Sequence, residues 1–211
     1  MRFTSSASKM SKYLNLSSNP RLDYFTNETI QVVNKEGTIH KHYPINSLES
    51  SPITFNIFGN DYETLDFREH KLYVRCKITD EAGENVHDRW NDHYALVNNC
   101  LHSLFQHVSV EIGGVKVTPS TDIYPYRAMV ETLLTNTVNS KHNLEKIGFY
   151  LDEGGGNPTG AVAANTGFAA RAALARGSAS MEFCGELLVD VFKQSKNIPT
   201  RTNLQIKLYP S

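Results

Sequence analysis

The chain has 211 residues, with 21 Lys and Arg against 22 Asp and Glu, a formal net charge of −1 and a sequence pI near 6.7. That balance excludes the basic excess of a dedicated nucleic-acid binder, and the length is enough to bury a large core in one β-rich domain. There is no apolar signal-peptide core after Met1 and no apolar run long enough to span a membrane, and the scattered Cys76, Cys100 and Cys184 fit a reduced compartment rather than a disulfide framework.

Residues 1–24 are rich in Ser, poor in apolar residues and mildly basic through Arg2, Lys9 and Lys12. They read as a flexible N-terminal arm, with residues 25–211 as the folded domain. Strand patterns begin at Thr29–Val33, with a second at Thr38–Tyr43 across Gly37. Ile53, Phe55 and Ile57 alternate with Thr54 and Asn56. Leu72, Val74, Cys76 and Ile78 alternate with Tyr73, Arg75, Lys77 and Thr79, the period of a half-buried strand. The polar run from Asp80 to His93 then reads as a long surface loop. It holds Trp90, the only tryptophan, which is either an exposed interface anchor or a side chain folded back onto the β-structure.

The stretch Tyr94 to Thr135 is the most informative. Val108, Val110 and Ile112 alternate with Ser109 and Glu111, and after Gly113-Gly114 come Val115, Lys116 and Val117. A two-residue turn of glycines tolerates the positive φ angles of a tight hairpin. It sets Ile112 opposite Val115 and Val110 opposite Val117, with Glu111 and Lys116 on the other face. Pro119 ends the second strand. A helix follows, capped by Thr121 or Asp122, with Pro125 in its first turn. Tyr126, Val130, Leu133 and Leu134 recur at helical spacing, which predicts a helix laying that apolar face over an open end of the β-structure. Arg127 and Glu131 form an i,i+4 pair in the less favourable order.

Residues 152–180 change character, with Gly, Ala and Asn dominating. They read as a long exposed excursion, with a short helix near Phe168 to Ala175, that could serve as a contact arm between subunits. Strand patterns return at Met181 to Phe192 and at Leu204, Ile206 and Leu208. About eight short strands, one short helix after the central hairpin and long loops predict an all-β fold, a β-sandwich of jelly-roll type.

No catalytic, cofactor-binding or metal-binding residue is assigned. Gly155 and Gly160 have P-loop glycine spacing, but Ala161 and Val162 stand where Lys and Ser/Thr are required. His40-Lys41-His42 is an H-x-H, and Glu49 lies too far on to complete a cupin-like metal set. His87, His93, His102 and His107 match no metal-binding spacing, there is no Cys-x-x-Cys, and no nucleophile is paired with a base. Asp61, Glu63 and Asp66 read as solvated loop charges.

The run from Asn98 to Thr135, NNCLHSLFQHVSVEIGGVKVTPSTDIYPYRAMVETLLT, resembles the N-terminal half of the double jelly-roll, hexon-like major capsid proteins of Polinton (Maverick) elements and adintoviruses. Leu101 to Phe105, Tyr124 to Ala128 and Glu131 to Leu134 carry the resemblance most specifically. His42 to Ile45, Asp61 to Asp66, Leu72 to Val74, Gly185 to Phe192 and Leu204 to Leu208 extend it across residues 25 to 211. The resemblance implies the first of two jelly rolls, so that the sequence would be either part of a longer polypeptide or a stand-alone derivative of the family. It also implies a non-enzymatic structural subunit forming pseudo-hexameric homotrimers in an icosahedral virion shell, assembled inside a host cell. Its partners would be further copies and neighbouring capsid proteins, with no cofactor, no specific nucleic-acid site and no membrane-spanning segment. The arm before residue 13 would face the genome or a neighbouring subunit. A jelly-roll carbohydrate- or ligand-binding module using Trp90 is the alternative, and a cupin-like metalloenzyme using His40 and His42 the third reading.

Overall fold

The computed structural model describes residues 37–86, 95–119, 121–136, 140–153 and 165–211. The expected strand at Thr29–Val33, the N-terminal arm, Trp90, His87, His93 and the Gly155–Gly160 spacing lie outside the described residues. The described elements are six strands and five short α-helices. The strands are β1 (Ile53–Ile57), β2 (Leu72–Cys76), β3 (Phe105–Ile112), β4 (Val115–Lys116), β5 (Met181–Gly185) and β6 (Leu204–Pro210). The helices are α1 (Cys100–Ser103), α2 (Tyr124–Thr135), α3 (Lys141–Lys146), α4 (Thr166–Ala175) and α5 (Asp190–Lys193). Strands in antiparallel sheets with a few helices are compatible with a β-sandwich; helices stand at both expected places, after the hairpin and near Phe168 to Ala175, and three further short ones occur among the described residues.

The chain divides into two compact units. One comprises Met1–Glu69, Ser109–Thr118 and Val189–Lys207; the other comprises His70–Val108, Pro119–Leu188 and Leu208–Ser211.

The four-stranded sheet has the order β1-β6-β3-β4, and the first unit holds β1, β4, β3 from Ser109 on and β6 as far as Lys207. The hairpin pairs as the alternation requires, with Ile112 opposite Val115 and Glu111 opposite Lys116. Gly113 and Gly114 both take positive φ, 58° and 82°, which a side chain would strain. Leu204 and Ile206 of β6 point inward with Val110, which is fully buried, while Gln205 and Lys207 face outward. Those outward groups bridge the strands. Gln205 Nε2 donates to Asn56 Oδ1 at 2.8 Å, and Lys207 Nζ reaches Glu111 Oε1 at 2.6 Å. Phe67 stacks on buried Phe192 of α5, with ring centroids 5.0 Å apart. Gly59 lets the chain pass against Thr202, where a Cβ would sit 2.6 Å from the backbone nitrogen.

In the second unit β2 pairs antiparallel with β5, with Leu72 opposite Gly185 and Cys76 opposite Met181. Its inner face packs Leu72, Val74 and Cys76 around Cys100, Leu101, Ala175, Met181 and Phe183. The outer face is polar: Arg75 stands opposite Glu182 and donates through Nε to Ser180 Oγ at 2.8 Å.

Several expectations are corrected. Thr38–Tyr43 forms no strand, and Ile39 is exposed. The strand expected from Met181 to Phe192 stops at Gly185, because Leu187 N–H turns to donate to His70 Nε2 at 2.8 Å and α5 begins at Asp190. Ser109, a polar alternate of a half-buried strand by pattern, is buried; so is His107, whose Nδ1 lies 3.0 Å from the Thr121 carbonyl and whose ring meets Tyr209. The excursion at 152–180 is not exposed throughout: α4 buries Gly167, Arg171, Ala172 and Ala175.

Candidate functional site

The helix after the hairpin holds the most unusual surface among the described residues. Pro125 occupies its first turn, where a missing N–H costs nothing. Neither Thr121 nor Asp122 is the N-cap residue; Ile123 holds that position, with no side-chain cap bond.

The inward stripe of α2 is Tyr124, Ala128 and Thr132, four residues apart. Ala128 and Thr132 are small, which allows close approach to α1, and Asn99 Nδ2 reaches Thr132 Oγ1 at 3.4 Å. The Tyr124 hydroxyl lies 2.9 Å from His102 Nδ1 and accepts from Leu188 N–H at 3.3 Å. Burial drives the ionisation of the Tyr124 phenol well above its ordinary range, opposed by the Leu188 N–H, which favours the phenolate.

The apolar set of α2 therefore faces away from the stripe that packs. Tyr126 is 75% exposed, Val130 56% and Leu134 80%, with Ile123 and Leu133 also more than half exposed. Ile123, Tyr126, Val130 and Leu134, together with Arg127 and Glu131, line an open apolar groove. The expected packing of this face onto the β-structure is thus overturned, because the small-residue stripe wins the contact with α1. Exposed apolar surface of this continuity marks an interaction site more often than a scatter of single residues does.

A second apolar exposure lies at the hairpin, where Val115 and Val117 project into solvent. Beside it lies a recess lined by Asn56, Phe58, Glu111, Gly114 and Gln205.

The side chains weighed for chemistry are placed singly. His40 is exposed; its Nε2 lies 2.9 Å from Thr38 Oγ1 and 3.7 Å from Glu63 Oε2, and His42 is exposed as well. Asp61 pairs with Arg201 at 2.6 Å, Glu63 accepts from Asn60 Nδ2 at 2.6 Å, and Asp66 holds Arg68 through both carboxylate oxygens. The neighbouring carboxylate raises the Arg68 pKa further. His102 and His107 are buried structural groups. Among the described residues no group of three or more His, Cys, Asp or Glu is placed to hold a metal ion.

The most constrained polar constellation was not among the sequence candidates. Arg171 of α4 is buried and donates from Nε to the Leu96 carbonyl at 3.0 Å and from Nη1 to the Tyr150 carbonyl at 3.3 Å. Its Nη2 lies 2.9 Å from Asp152 Oδ1, close in charge although not aligned as a hydrogen bond. Asn98 works beside it, donating to the Tyr150 carbonyl at 2.7 Å and accepting from its N–H at 2.9 Å. These groups fasten the segment before α1 to the segment before α4. An arginine within FAARAALAR gives no sign in sequence of where its fork will point.

No family model, curated protein or solved structure matches the chain. Among the described residues no helix is long and apolar enough to cross a membrane.

Proposed function

We propose that this chain is a non-enzymatic structural capsid subunit, a jelly-roll portion of a double jelly-roll shell protein that acts through contacts with its own copies. The observation that carries the reading is the exposed apolar face of α2, inside the very run, Asn98 to Thr135, that resembles the hexon-like capsid proteins. A helix that leaves Tyr126, Val130 and Leu134 in water suits a chain whose working state is an assembly. The near-zero net charge suits close packing of many copies, since strongly like-charged subunits repel. Asp61, Glu63 and Asp66 are engaged in hydrogen bonds and ion pairs with neighbouring side chains, which suits scaffolding.

In this reading the subunits form pseudo-hexameric trimers within an icosahedral shell, and the protein resides in the virion. Negative-stain electron microscopy of the concentrated protein tests it. Ring-shaped trimers or closed shells are expected. Dispersed monomers at every concentration would overturn the reading.

A further inference from the structure

We infer that the outer face of α2 is a two-fold contact between copies of this chain, in which the helices run antiparallel and Arg127 of each copy pairs with Glu131 of the other. The inference goes beyond the shell reading, since a trimer is held by three-fold contacts and this one joins copies in pairs.

The pattern of the face carries it. On a helix of 3.6 residues per turn, Tyr126, Val130 and Leu134 form one row, and Ile123, Arg127, Glu131 and Thr135 form the next. Both rows line the same open groove. A two-fold axis perpendicular to the helices at Val130 sets Val130 against its own counterpart and Tyr126 against Leu134. Such an axis keeps the charged row of each copy on the same flank of the seam and reverses its direction. Arg127 then lies about 3 Å along the axis from Glu131 of the second copy, by the 1.5 Å rise per residue, well within the reach of both side chains. Parallel helices would place the two charged rows on opposite flanks and form no cross pair. The face is therefore complementary to itself in one orientation, as an isologous interface requires. Both charges also have contacts within their own chain, so the pairing is an addition to those.

The size of the face sets the strength. Its four exposed apolar side chains, Ile123, Tyr126, Val130 and Leu134, offer roughly 300–400 Å² per copy, against about 800 Å² per partner in a stable standard interface. The contact is weak in an isolated pair and gains through repetition in an assembly of many copies.

Sedimentation velocity over a concentration series tests the inference with charge-reversal variants at exposed positions. Arg127→Glu and Glu131→Arg should each weaken the pairwise step by about tenfold, because each puts like charges together twice. An equimolar mixture of the two variants should associate as the unmodified chain does, since both cross pairs of the mixed dimer again join opposite charges. Val130→Glu, which sets two carboxylates at the axis, should abolish the step, with circular dichroism confirming an unchanged fold. Association that ignores Val130→Glu, or a mixture as weak as its components, overturns the α2 contact and leaves the shell reading standing. A chain that never self-associates overturns both.

Discussion

Replacing Arg171 tests whether its buried fork holds the second unit together. Arg171→Ala removes the donors to the Leu96 and Tyr150 carbonyls and the cation beside Asp152. A hydrogen bond from a charged donor contributes about 1.5–3 kcal/mol; the Leu96 carbonyl loses this donor, whereas the Tyr150 carbonyl keeps the one from Asn98 Nδ2. Breaking a fully buried ion pair costs about 3–5 kcal/mol. Here the Asp152 side chain keeps 29% of its surface in water and can be rehydrated, which moves the expectation to the lower end. We therefore expect a loss of about 3 kcal/mol, read as a lower midpoint in urea denaturation with unchanged slope. Asp152→Asn should cost clearly less, since Arg171 retains both carbonyl acceptors. Arg171→Lys should fall between, because one ammonium cannot span three acceptors held in a fork geometry. A loss below about 0.5 kcal/mol for Arg171→Ala, the range of ordinary surface changes, would refute the reasoning.

Further outcomes follow from the same structure. Leu204→Ala, in the core of the first unit, should cost about 2–5 kcal/mol, whereas Leu134→Ala on the exposed face of α2 should change monomer stability by no more than about 0.5 kcal/mol; thermal or urea midpoints separate the two. Gly114→Ala should cost about 1 kcal/mol because its φ of 82° strains any side chain, and Gly114→Asn should cost less. Burial pushes the Cys100 thiol up to about 11 from an ordinary 9, so at pH 8 it carries about a hundredfold less thiolate and should be the slowest cysteine to alkylate. The same shift favours the folded state fully below pH 9, where the unfolded thiol is also neutral, and the advantage is lost as pH rises from 9 to 11, by about 2 kcal/mol. Urea midpoints measured across that window should fall, and the Cys100→Ser variant should show a flatter profile.

Strands were legible where one face is buried and the other wet. The alternation of Leu204 to Leu208 and of Leu72 to Cys76 appears in the structure with the expected residues inward, and the Gly113-Gly114 turn set the hairpin register. The pattern misled where tertiary contact outweighs hydrophobicity. In α2 the residues that pack are Tyr124, Ala128 and Thr132, chosen by size and hydrogen bonding, and the larger apolar side chains are left outside. Ser109 and His107 are buried because β3 is covered on both faces there, which an alternation pattern cannot reveal. The short helices α3 and α5 were invisible, since four to six residues carry too little periodicity to register and take their shape from neighbours. The Arg171 network depends on segments far apart in sequence, Leu96, Tyr150 and Asp152, meeting at one side chain.

In the proposed reading this chain works as one of many identical shell subunits. Native mass spectrometry of the protein at rising concentration tests it most directly. A dominant species of three times the mass of one copy is expected. A species with the mass of one copy alone at the highest concentration would contradict it.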